Sequence, residues 1–129
     1  MKRPVLLAFN ISGEKAETIG MFCSKLDIEL RDVKTDEQHQ TIGALCRTEA
    51  LSEASFEGEE FTDEMLVLCN LSAEQQAGLL TGLRSVSGAN VSLKAVLTEY
   101  NIGWSAARLA AELSAERDAI ARNRSERHP

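Results

Sequence analysis

Two short runs of uninterrupted apolar residues, VLLAF at 5–9 and MLVLC at 65–69, set the frame for any fold of this chain. A strand with one wet face alternates apolar and polar positions. A run with no polar position belongs to a strand covered on both faces. Each run ends in asparagine, Asn10 or Asn70, and a serine follows two residues later, Ser12 or Ser72. Each then gives way to a helical pattern. After the first, Ile19, Phe22, Cys23 and Leu26 fall at helical spacing, with Ser12 as N-cap and Glu14 in the first turn. After the second, Ser72 and Gln75 form a capping-box pattern at the head of SAEQQAGLLTGLRSV.

The pattern continues in both halves. IELRDVK and VSLKAVLT read as half-polar strands, and each precedes another helix. The second helix carries Ile42, Leu45, Cys46 and Ala50 on one face. The fourth carries Leu109, Leu113 and Ile120 on its buried face. The halves can be overlaid. Asn10 falls on Asn70 and Ser12 on Ser72 at an offset of 60, and Arg31 falls on Lys94, Val33 on Val96 and Thr35 on Thr98 at an offset of 63.

This order predicts an α/β three-layer sandwich with a four-stranded sheet built from two βαβα pseudo-repeats. The favoured topology is an all-parallel sheet in the order 2-1-3-4, with the apolar strands central and the half-polar ones at the edges. Right-handed crossovers would then set helices 1 and 4 on one face and helices 2 and 3 on the other. The alternative is a ferredoxin-like α+β sheet with two additional helices.

The 129 residues suit one domain, expected over 1–121, with an acidic loop near 51–63 and a disordered charged tail at 122–129. Residues 48–64 hold seven acidic side chains and no basic one, against a net charge of −6 for the whole chain. The remainder is near neutral and lacks the basic stripe that displaces counterions from phosphates, so no nucleic-acid partner is expected. Lys2 and Arg3 precede an apolar run too short for the core of a signal peptide, and no stretch approaches a membrane span. Cys23, Cys46 and Cys69 each adjoin apolar residues, the usage of buried thiols in a reducing cytoplasm.

In the parallel topology the ends of strands 1 and 3 lie side by side at the point where chain order reverses. Asn10, Ser12, Asn70 and Ser72 would line that crevice, and two helix N-termini would present free N–H groups to an anion. The same residues are more simply explained as caps and turns. Gly78 and Gly82, four apart in helix 3, read as sites of close helix packing. There is no phosphate-loop or dinucleotide glycine pattern, no zinc-ligand spacing around His39 or His128, and no G-x-S-x-G elbow. No catalytic residue, metal or cofactor is expected.

One further segment stands out, SLKAVLTEYNIGW at 92–104. Lys94 lies with Ser92, Val96 and Thr98 on one side of the strand, opposite Leu93, Ala95 and Leu97. A lysine on an edge strand blocks unwanted pairing. Thr98, Asn101 and Trp104 then form either a corner, with Trp104 as a staple onto the following helix, or the lip of a pocket. Lys94, Ala95, Val96, Leu97, Thr98, Asn101, Trp104 and Ser105, with the run EMLVLCNL upstream, resemble the motif of a bacterial family known as domain of unknown function 3783. The resemblance covers roughly residues 4–117. It implies a bacterial, cytoplasmic protein and names no activity.

The expectation from sequence is a non-catalytic interaction or regulatory module that self-associates or binds a protein partner. The rivals are a small-anion binder using the crevice and a cysteine-dependent enzyme.

Overall fold

The computed structural model describes residues 3–46 and 61–127, with side chains described through residue 123. The elements are β1 (Val5–Phe9), α1 (Gly13–Lys25), β2 (Glu29–Val33), a 3-10 turn (Thr35–Glu37), α2 (Ile42–Leu45), β3 (Met65–Cys69), α3 (Ala73–Ser85), β4 (Leu93–Val96) and α4 (Ala106–Arg127). The four strands form one sheet in the order β2-β1-β3-β4, as the apolar and half-polar runs predict. Every residue of β1 and β3 is buried.

The direction of the centre differs from expectation. β1 runs parallel to β2 and β3 parallel to β4, but β1 and β3 are antiparallel, with Val5 opposite Cys69 and Phe9 opposite Met65. The sheet is therefore mixed, neither all-parallel nor ferredoxin-like. An apolar run reports burial on two faces and carries no information on the direction of its neighbour.

The helices follow from this. Two crossovers of the same hand, in units that run in opposite directions, place their helices on the same face. Ile19 and Cys23 of α1 and Leu79 and Leu83 of α3 pack over Leu6, Ala8, Leu66 and Leu68. Ile42 and Leu45 of α2 and Leu109 and Ala110 of α4 pack over Val5, Leu7, Phe9, Met65 and Val67. The expected pairing of helices 1 with 4 and 2 with 3 is replaced by 1 with 3 and 2 with 4. Gly78 and Gly82 permit the close approach of α1 and α3. A β-carbon at Gly82 would stand 2.7 Å from the Phe22 ring, and one at Gly78 would stand 3.0 Å from Leu26.

Two boundaries and one buried position also differ. The second helix starts only at Ile42, because Thr41 caps it by accepting from the Ala44 N–H at 3.1 Å. Its expected contact at Ala50, and the acidic loop up to residue 60, lie outside the described residues. α4 continues through Arg127, past the expected end of order at 121, because the sequence AIARNRSER contains no helix breaker. Ile120, expected on the buried face of α4, is 54% exposed, since the helix has left the sheet by that point.

Candidate functional site

Asn10 and Asn70 both adopt the left-handed conformation, with φ of 60° and 61°, which asparagine tolerates better than other side-chain-bearing residues. Each uses its side-chain amide to fasten the chain entering the neighbouring antiparallel strand. Asn10 Nδ2 donates to Phe61 O at 3.0 Å and Asp63 O at 2.9 Å, and Asn70 Nδ2 donates to Arg3 O at 3.5 Å. Because β1 and β3 are antiparallel, these corners stand at opposite ends of the sheet. The structure therefore does not bring Asn10 and Ser12 together with Asn70 and Ser72, and the expected crevice does not form.

The serines differ. Ser72 Oγ accepts from Gln75 N at 3.1 Å while Gln75 Oε1 accepts from Ser72 N at 2.9 Å, the capping box read from the sequence. Ser12 occupies the N-cap position of α1 without a side-chain cap bond. Asn10 and Ser12 border an open depression of about 380 Å³ with Asp32, Lys34 and Thr35, over the ends of β1 and β2.

The segment after β4 resolves as a corner. Asn101, 7% exposed, accepts from Thr98 N at 2.9 Å through Oδ1 and donates to Val96 O at 3.1 Å through Nδ2. Leu93 N donates to Glu64 O and Leu97 N to Leu68 O, so odd-numbered residues of this strand face β3 and even-numbered ones face outward. Asn101 thus occupies outward backbone positions that an added strand would use. Thr98 Oγ1 accepts from the Tyr100 and Asn101 N–H groups at 3.2 and 3.1 Å. Ser105 caps α4 by accepting from Arg108 N at 3.1 Å. Trp104 packs on the core, its ring lies 4.3 Å from the Arg108 guanidinium carbon, and its carbonyl accepts from Ile42 N at 2.9 Å. The side-chain polar atoms of Thr98 and Asn101 are engaged with backbone, and the Trp104 carbonyl holds the start of α2, so the segment braces the chain there.

Sequence reading missed Gln38. It is fully buried and clips the backbone of Phe61, accepting from Phe61 N at 3.0 Å and donating to Phe61 O at 3.2 Å. The Phe61 ring in turn lies 5.6 Å from Phe9. Nothing in TDEQHQ distinguishes Gln38 from its polar neighbours, because the partner is distant in sequence. Asp63 and Glu64, the described end of the acidic segment, pair with Arg117 at 3.3 Å and Lys15 at 2.5 Å.

The thiols are buried. Burial pushes Cys23 up to about 11, and a hydrogen bond with Cys46, followed by burial, raises Cys69. Both effects hold the protonated form, the opposite of what a nucleophile needs. Among the described residues no group of three or more His, Cys, Asp or Glu is placed to hold a metal ion. No described helix is long and apolar enough to cross a membrane.

Two grooves flank Lys94 at the β4 edge. One, about 350 Å³, lies beside the end of α3 and is lined by Leu83, Val86, Ala89 and Val91 with Arg84. The other, about 360 Å³, lies against α4 and is lined by Leu93, Leu113, Ile120, Glu116 and Arg117. A family model matches residues 64–120, the unit that contains both grooves, as a domain of unknown function (DUF3783). That segment is a DUF3783 domain. It holds β3, α3, β4 and most of α4, and with them the whole motif from Lys94 to Ser105. The likeness read from the sequence over roughly 4–117 is thus shown for the second half, and the model match does not extend over the first. Searches of curated proteins and of solved structures found no significant match.

Proposed function

We propose that this protein is a non-catalytic interaction module that associates with a second copy of itself through the β4–α4 side of its DUF3783 domain. One observation carries this reading: α4 outruns the fold it packs on. Its 22 residues extend about 33 Å, roughly twice the reach of a five-residue strand. Ala106, Leu109, Ala110 and Leu113 pack on the sheet. Beyond them Ile120 projects at the rim of the groove that contains Lys94. Helices this exposed gain most of their stability from packing an apolar face against something.

Tyr100, 77% exposed in the turn after β4, adds apolar surface beside this side, while Val96, 42% exposed, lies with Lys94 on the α3 face of the sheet. With Asn101 holding Val96 O and Thr98 N, association runs through side chains and not by adding a strand. The matched layout of the two halves supports an origin by internal duplication. Buried free thiols support a cytoplasmic setting, and the family resemblance a bacterial one.

The test is the mass of the full chain by light scattering after size exclusion. The wild type is expected at twice the 14.1 kDa chain mass. Ile120→Glu is expected at the monomer mass with unchanged circular dichroism. A wild type that elutes as a monomer at all loading concentrations contradicts the reading.

A further inference from the structure

The two halves match closely from β1 through α1 and from β3 through α3, at an offset of 60. They then part. α1 reaches β2 through three residues, 26–28, whereas α3 reaches β4 through seven, 86–92. The added turn is not a bare loop. Ala89 and Val91 are buried, Gly88 bends with φ of +83°, and nothing stands within 4 Å of where its β-carbon would be. Val86, Ala89 and Val91 from this turn join Leu80 and Leu83 of α3 to line the groove of about 350 Å³.

The cations of that groove are also particular to the second half. Leu6 pairs with Leu30, and Leu66 with Lys94, so Lys94 stands where the first half has leucine. Arg84 stands where α1 has Ser24. Among the described residues neither cation has a carboxylate partner. Lys94 Nζ donates to Val91 O at 3.0 Å, which leaves two of its three protons for another acceptor. The last carbonyls of α3 lie nearby, and they offset only about half a charge. An apolar floor under two unneutralised cations suits a ligand with one anionic head and a hydrocarbon body. The volume lies at the lower end for small-molecule pockets.

We infer that the groove between α3 and the start of β4 binds a small amphiphilic carboxylate, its chain against Leu83, Ala89 and Val91 and its head between Arg84 and Lys94. The site shares Lys94 with the face of the proposed dimer, but its floor lies beside α3, so octanoate binding can fail while the dimer stands.

The test uses the full-length protein, labelled with nitrogen-15, and two probes of equal chain length, octanoate and 1-octanol. Octanoate is expected to shift the amides of residues 86–94 saturably, and 1-octanol to bind about tenfold or more weakly, because it lacks the charge-assisted bonds. Raising salt should weaken octanoate and leave 1-octanol unchanged. The double variant Arg84→Ser, Lys94→Leu, which installs the first-half residues, should bind both probes alike. Should that variant fail to fold, the comparison of probes and salt in the wild type still decides. The inference is overturned if octanoate leaves residues 86–94 unshifted, if shifts concentrate elsewhere, or if the two probes bind the wild type equally.

Discussion

The first half of the molecule, β1–α1–β2, and the second, β3–α3–β4, share one order of elements, and they differ in how they end. Buried and exposed positions along α1 and α3 follow the same order, with Ile19 and Cys23 answered by Leu79 and Leu83. Both central strands end in a left-handed asparagine that fastens the opposite half. The first half then closes economically, with Leu30 packed into the core cluster and a short turn. The second half spends additional residues on a longer turn, exchanges leucine for Lys94, blocks its outer edge with Asn101 and extends α4 beyond the sheet. Features common to both halves build the core. Among the described residues, features confined to the second half are the ones the core does not require, and they converge on the β4 side.

Equal burial should give equal cost. Leu6→Ala and Leu66→Ala each remove a fully buried leucine from the same face of the sheet, and each should lose about 2–5 kcal/mol by denaturant unfolding. A large inequality would break the correspondence of the two halves at its core.

Alkaline pH should distinguish the halves at Cys23, whose counterpart is Leu83. The Cys23 thiol titrates near 9.0 when unfolded and is pushed up to about 11 by burial in the fold. Between those values the unfolded chain holds fewer protons than the folded one, so stability is full below the lower pKa and falls as pH rises. The loss should reach about 2–3 kcal/mol at the upper end. Cys23→Leu should lower the slope by one proton, while Cys69, whose pKa is also raised, keeps its own contribution. An unchanged slope would remove Cys23 from this role.

Asn101→Ala leaves Val96 O and Thr98 N without their partner and should cost about 1–3 kcal/mol. It also bares the β4 edge, so concentration-dependent association should rise in analytical ultracentrifugation. If the variant is as stable and as monodisperse as the wild type, the amide is not guarding the edge. The smallest effect contrasts the caps. Ser72→Ala should cost about 1 kcal/mol, and Ser12→Ala, which removes no cap bond, only a few tenths. Equal losses would mean that Ser12 caps α1 in solution.

What the sequence disclosed follows from what each residue can report. The apolar runs at 5–9 and 65–69 report burial, and burial gives the order 2-1-3-4. Ser72 and Gln75 report a capping box because both partners are local. Strand direction is not local, so the antiparallel centre was illegible and the crevice expected from a parallel one was lost with it. The overlay of Arg31 on Lys94 failed by a single residue. In the sheet Leu30 matches Lys94, and a slip of one moves a side chain to the other face. Arg31 accordingly reaches Leu45 O and Glu37 on the α2 side, while Lys94 borders the groove beside α3. The sequence singles out SLKAVLTEYNIGW, which lies inside the family match. It could not say that the polar atoms of Thr98 and Asn101 are consumed by backbone, which left their neighbours Lys94 and Val96 as the exposed features.

We propose association through the second half, and sedimentation velocity on three proteins tests that most directly. The exposed apolar residue of α1 is Met21, 45% exposed, and that of α4 is Ile120. The wild type and Met21→Glu should both sediment as dimers, and Ile120→Glu as a monomer. A monomeric wild type, or a dimer broken by Met21→Glu and spared by Ile120→Glu, would contradict it.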